Sequence, residues 1–181
     1  MRKFIAAAAV VFMTTALAAG TRAGDMEQER LWISLDIFPR ILAVDLDIAR
    51  KVTPSGSVKV LMLYEDNKER ADEAMAYLKK RAPHISGLPM ELQSGATADC
   101  EGYSAVMIVE SISDALLKKA VTCAIENKII LFSPYEADVR KGVTASVQIQ
   151  IKVAPYFNKA TLAKSQIQIH KAALKYSQIY E

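Results

Sequence analysis

Val58-Lys59-Val60-Leu61-Met62-Leu63-Tyr64 is apolar except for Lys59 and shows no alternation of apolar with polar residues. A strand wet on one face alternates, whereas an unbroken apolar run of this length belongs inside a sheet that is covered on both faces. Residues 67–81 follow, with Ala71, Ala74, Met75 and Leu78 at the spacing that places them on one side of a helix. The same pair of signals recurs further on. Ala105-Val106-Met107-Ile108-Val109 reads as a second buried strand and Ser113 as a helix N-cap. Residues 115–126 read as a helix with Leu116, Leu117, Ala120, Val121 and Ile125 inward, and Lys128-Ile129-Ile130-Leu131-Phe132 as a third strand. Strands joined through helices of this length must run parallel, with the helices laid over the sheet. The expected class is α/β, a three-layer sandwich with a mainly parallel central sheet flanked by helices.

Between these units, 83–89 reads as a loop, 90–93 as a short strand and 95–102 as a second loop. Upstream, 27–38 carries Leu31, Ile33, Leu35, Ile37 and Phe38 and reads as a helix that Pro39 interrupts. Alternation in the second half of 41–48 favours an extended segment, and 51–56, with Thr, Pro, Ser and Gly, reads as a turn. Downstream, Ala145, Val147, Ile149, Ile151 and Val153 alternate with Ser146, Gln148, Gln150 and Lys152, which predicts a late strand with one wet face. It is expected as an edge strand or as part of a hairpin, stopped by Pro155, with helices over 159–164 and about 166–180 behind it.

The first residues carry a targeting pattern. Arg2 and Lys3 precede an uncharged apolar run over 4–17, and Ala16-Leu17-Ala18 places small residues where a signal peptidase reads. Cleavage is expected after Ala18, with a second site after Ala23, leaving 19–181 as one domain. The apolar run is shorter than the roughly 20 residues a spanning helix needs. Removing Arg2 and Lys3 from the 23 basic residues leaves 21 against 20 acidic ones. That balance argues against nucleic acid as a partner, because phosphate contacts need surplus positive charge on one face. The cluster Lys79-Lys80-Arg81 suits the C-terminal end of a helix dipole instead.

Chemistry has little to stand on. There is no GxSxG, no HExxH, no glycine-rich phosphate loop and no CxxC, and His84 and His170 are far apart in sequence. No catalytic residue, metal site or cofactor is expected. In a parallel sheet ligands collect beyond the carboxyl ends of the strands, so the loops 65–67, 110–113 and 133–136 qualify, with Ser111, Ser113, Ser133 and Tyr135 as candidate contacts for a small ligand. Helix capping explains the same serines, and the acidic residues there disfavour an anion. Cys100 lies just before a strand and Cys123 near the end of the helix that returns to that strand's beginning, so a disulfide is open to them, as are two buried free thiols.

The chain resembles the YfiR family of periplasmic proteins. The resemblance rests on the signal peptide, Val58 to Tyr64, Cys100 ahead of Ala105 to Val109, and the stretch 142–181. In that stretch Val147-Gln148-Ile149-Gln150-Ile151 is similar to the family's late strand, Pro155-Tyr156-Phe157-Asn158-Lys159-Ala160 to its NL-x-A passage, and Ala173-Leu174-Lys175-Tyr176-Ser177 to its closing helix. It departs from the family in having only Trp32 and Phe38-Pro39 for the aromatic-rich start, and two cysteines where members often carry four. The resemblance implies a mixed α/β domain with a tendency to form homodimers and no chemistry of its own. It would act by binding the periplasmic part of an inner-membrane signalling protein such as a diguanylate cyclase or a sensor kinase. The alternative is a single-lobe periplasmic protein that binds a small solute.

Overall fold

The computed structural model describes the backbone of residues 8–150 and 152–181, and side chains from residue 26 onward except residue 151. Arg2, Lys3 and the start of the apolar run lie outside the described residues. The elements in chain order are α1 (Ala8–Ala43), β1 (Val58–Leu63), α2 (Lys68–Arg81), β2 (His84–Ile85), β3 (Leu88–Gly95), β4 (Ala105–Ile108), α3 (Asp114–Glu126) and β5 (Ile130–Ser133). They continue with α4 (Ala137–Arg140), β6 (Ala145–Ile149), β7 (Val153–Asn158), α5 (Lys159–Lys164), α6 (Lys171–Lys175) and β8 (Gln178–Tyr180).

One sheet holds all the strands in the order β2-β3-β1-β4-β5-β6-β7-β8. The neighbours from β3 through β6 are parallel, with Val60 opposite both Leu92 and Ala105, whereas β6 and β7 form an antiparallel hairpin. The α/β architecture is therefore the expected one. Within the parallel strands the chain moves outward from β1 to β3, then returns across β1 to β4 and continues through β5 to β6. The direction reverses between β1 and β4, and in such doubly wound sheets this crevice is where ligands are received.

Alternate residues of each buried strand feed two cores. Val58, Val60 and Met62 of β1 join Leu31, Leu35, Phe38, Ala71, Ala74 and Leu78 beneath α1 and α2. Leu61 and Leu63 join Val106, Ile108, Leu117, Ala120 and Ala124 beneath α3. The helical spacing read from the sequence thus points the right residues inward. Met75, Leu116, Val121 and Ile125 are only half-buried.

Several expectations are corrected. Pro39 does not end the first helix, which runs on to Ala43. A proline inside a helix costs about 3 kcal/mol, but Phe38, Ile41 and Leu42 on either side of it are 0–1% exposed, and full burial of each such side chain contributes about 1.5–3 kcal/mol. Burial wins. The segment 41–48 is accordingly not extended: it is the helix end, then a turn around Asp45, which pairs in an isolated bridge with Ile169, then a 3-10 turn over Ile48–Arg50. Its alternation comes from Asp45, a buried turn residue that accepts from the Asp47 amide (3.0 Å) and from Lys51 Nζ (2.5 Å).

The loop over 83–89 contains the β2–β3 hairpin, closed by Ser86 and Gly87, both with positive φ, which is the backbone a two-residue hairpin turn demands. β3 runs beyond 90–93 to cover Leu88–Gly95. The late alternating run is broken between β6 and β7, so of the two expectations the hairpin is realised, and the late edge strand is β8. Pro155 does not stop a strand; it sits in β7 opposite Val147, outside the stretch 156–158 that β8 covers, where β7 is still an edge and a missing N–H costs no ladder bond on that side. The helix expected over 166–180 shrinks to α6, with β8 after it. The helix over 159–164 stands as α5.

Candidate functional site

The crevice between β1 and β4 is closed from within by two carboxylates. Glu110, the second residue beyond β4, is buried, and its Oε1 accepts the backbone N–H groups of Glu65 (2.7 Å), Asp66 (2.8 Å) and Asn67 (2.9 Å) at the entrance to α2. Glu65, the second residue beyond β1, reaches the other way: its carboxylate accepts from Ser113 N–H (2.5 Å) and Ser113 Oγ (2.7 Å) at the entrance to α3. Each loop thus supplies the anion for the other loop's helix. Free amides at a helix N-terminus attract negative charge, and the chain satisfies both ends with its own side chains. Burial alone would raise the Glu110 carboxyl; the three amides and the nearby Arg70 outweigh it and hold the group below its ordinary range.

The remaining polar groups of the crest stand around this pair. Tyr135, half-buried in the loop after β5, has its phenol pushed up to about 12 by burial first and by the Glu27 carboxylate second, against the opposing pull of Arg70 and the Ser111 amide. At neutral pH it is therefore a neutral phenol. Arg70 Nη1 lies 3.7 Å from Glu27 Oε2, with the arginine side chain 23% exposed. Beside them a groove of about 260 Å³ opens between α1 and α2, lined by Gln28, Leu31, Trp32, Asn67, Arg70 and Glu73 among others. Trp32 packs at a tilt against Tyr77, ring centroids 5.0 Å apart, and the Tyr77 hydroxyl donates to Asp36 (2.8 Å).

The four candidate contacts fare differently. Ser113 is the N-cap of α3, accepting from Leu116 N–H (3.3 Å) while donating to Glu65. Ser133 is fully buried, donates to Asp138 (2.6 Å) and accepts from the Tyr135 amide (3.1 Å), so it holds the turn into α4. Ser111 is exposed and Tyr135 stands near its amide; these two are brought together at the crevice. Sequence reasoning missed Glu65, Glu110, Arg70 and Glu27. The signal for the first two was present, since each carboxylate falls at the same step beyond a buried strand, but their reciprocal pairing needs the β1–β4 adjacency. His84 is exposed on β2, and exposed His170 caps α6, its Nδ1 accepting from Ala172 N–H (3.3 Å). Among the described residues no group of His, Cys, Asp or Glu could hold a metal ion.

Cys100 and Cys123 are joined in a disulfide with Cα atoms 5.8 Å apart, inside the range such a bridge requires. It ties the loop before β4 to the last turns of α3, as the antiparallel return of a crossover helix allows.

No family model and no curated protein matches this chain. Solved structures do. A conserved domain protein from Vibrio cholerae O1 biovar El Tor superposes with a TM-score of 0.54 at 13% identity, over 73% of this chain and 57% of that one. The ligand-free, open structure of CD0873, a substrate binding protein with adhesive properties from Clostridium difficile, gives 0.51 at 9% identity, over 76% and 58%. The ABC domain in complex with L-Trp from Streptococcus pneumonia gives 0.49 at 16% identity, over 77% and 62%. At these identities what the chain shares with the first two is the fold, and it spans about three-fifths of the length of each of the three.

Proposed function

We propose that the mature chain is an exported, single-lobe binding domain that takes a small amine-bearing solute at the β1–β4 crevice, without catalysis. The observation that carries this reading is the reciprocal Glu65–Glu110 arrangement. With both helix entrances already occupied by carboxylates, an anion gains no free amides there. Glu110 Oε2 accepts no hydrogen bond among the described residues and stands ready for an ammonium group, while Arg70 and neutral Tyr135 are placed for a carboxylate or carbonyl at the other end of a zwitterion. A shared fold with a substrate binding protein supports the reading. The disulfide supports export, since such bonds persist in oxidising compartments such as the periplasm.

A thermal-shift panel of amino acids, polyamines and dicarboxylates tests it. Zwitterions or amines at 100 times their dissociation constant should stabilise by about 2.7 kcal/mol, and Arg70→Gln should abolish the response to zwitterions. A panel in which only dicarboxylates respond, or nothing does, would overturn it.

A second reading is docking on the periplasmic part of an inner-membrane signalling protein, as the YfiR resemblance implies. The open edge of the sheet favours it: among the described residues β8 pairs only with β7, and Tyr176 just before it and Ile179 within it are 75% and 37% exposed. Crosslinking in intact cells, with and without a reductant that reaches the periplasm, separates the readings, because only docking captures a membrane cyclase or kinase.

A further inference from the structure

At the amino ends of the central strands, opposite the crevice, three segments border an open groove of about 600 Å³, within the usual size of small-molecule sites. One wall is the 3-10 turn after α1, another the end of α3, and the third the extended segment after α5. That segment is fixed by hydrogen bonds from Leu46 N–H to Gln168 O and from His170 N–H to Val44 O, each 2.9 Å.

Both helices end at the groove by the same device. After α3, Lys128 has φ +56° and Ile129 N–H returns to Ala124 O (3.0 Å); after α5, Gln166 has φ +57° and Ile167 N–H returns to Leu162 O (3.1 Å). This position normally takes glycine, because a left-handed backbone strains any residue with a Cβ. Among the described residues the only other non-glycine with positive φ is Ser86, in the hairpin turn. Two long polar side chains are thus kept at a cost to stability where glycine would serve, and both border one groove. Strain retained in this way marks a site whose side chains are needed.

The lining specifies the ligand. Lys51 is held by buried Asp45 (2.5 Å) and Arg50 by Asp47 (3.1 Å), so Lys128 is the one lining cation without an ion-pair partner among the described residues. Asn127 spends its Nδ2 on Cys123 O (2.9 Å), leaving its Oδ1 without a partner among the described residues, and it shares the lining with Gln166 and Gln168. Among the described residues no aromatic ring lines the groove. We infer that this is a binding site for a sugar acid: one carboxylate for Lys128, and vicinal hydroxyls for side-chain amides that offer donor and acceptor together.

The mature protein would be titrated with glucuronate and galacturonate, and with glucose, galactose and acetate as controls, following backbone amide resonances. The uronates should move the signals of residues 127–129 and 166–168 and bind at least about tenfold more tightly than their neutral parents or acetate. Lys128→Gly should raise Tm by relieving the backbone and yet abolish the preference for uronates. The proposal is overturned by uronates that leave those residues unmoved, by binding no tighter than acetate, by a preference that survives in Lys128→Gly, or by a lower Tm for that variant. Arg70→Gln, at the carboxyl ends of the strands, serves as the control that keeps this outcome separate from that of the amine site.

Discussion

Beneath α1 and α2 the sheet buries Phe38, Ile41, Leu42, Leu78 and Phe132, and the segment carrying Ile167 and Ile169 closes the same layer. On the opposite face α3 lies over Leu61, Leu63, Val106 and Leu131 together with Cys100 and Val143, and the link from β3 to β4 is a loop where a parallel crossover commonly has a helix. There a covalent bond reinforces the packing of the loop: Cys100, buried in it, is bridged to Cys123 of α3. The difference teaches that one sheet can be covered by two packed helices on one side and by a helix with a stapled loop on the other. Glu65 and Glu110 join the two sides, since each loop at the crevice caps the helix on the other's face.

Breaking the thick face should cost the most. Phe38 is fully buried and meets Phe132 with ring centroids 5.4 Å apart, so Phe38→Ala should destabilise by about 3–5 kcal/mol, read from urea denaturation. A loss under about 1 kcal/mol would mean that α1 is not an integral layer. The thin face should respond next. The bridge closes a loop of 23 residues, and removing that constraint with Cys100→Ser and Cys123→Ser together should cost about 3 kcal/mol. Hydrogen exchange sharpens the contrast: protection should fall first over 96–104 and α3, while α1 and α2 keep theirs. Uniform loss would show that the two faces unfold as one unit.

The layered α/β plan was legible because unbroken apolar runs mark β1, β4 and β5 as buried strands, while α2 and α3 carry the helical period without interruption. What was illegible depended on partners distant in sequence. Helix α1 passes Pro39 because Phe38, Ile41 and Leu42 have a core to enter, and no local rule announces that core. The hairpin turn at Ser86-Gly87 and the strand β8 are too short to show a period. At the crevice, Ser111 and Tyr135 were within reach of strand-end reasoning, whereas the pairing of Glu65 with the α3 entrance and of Glu110 with that of α2 exists only once β1 and β4 lie side by side.

That pairing gives the smallest effect and the finest test of how the faces are joined. The Glu110 carboxyl is held below its ordinary value near 4.5, so the folded state binds this proton less readily than the unfolded chain does. Its contribution is therefore complete above the ordinary value and is lost as pH falls through the lower folded value. Glu110→Gln keeps an acceptor for the amides of Glu65, Asp66 and Asn67 but removes the charge, and hydrogen bonds to a charged acceptor are roughly twice as strong as neutral ones. The variant should be about 1–2 kcal/mol less stable than the parent at pH 7. In denaturant titrations repeated at steps down to pH 3 the gap should shrink, and the parent should lose protection in the first turn of α2 as it does. A gap that stays constant to pH 3 would assign Glu110 a role in shape rather than charge, and the two faces would then be joined by packing alone.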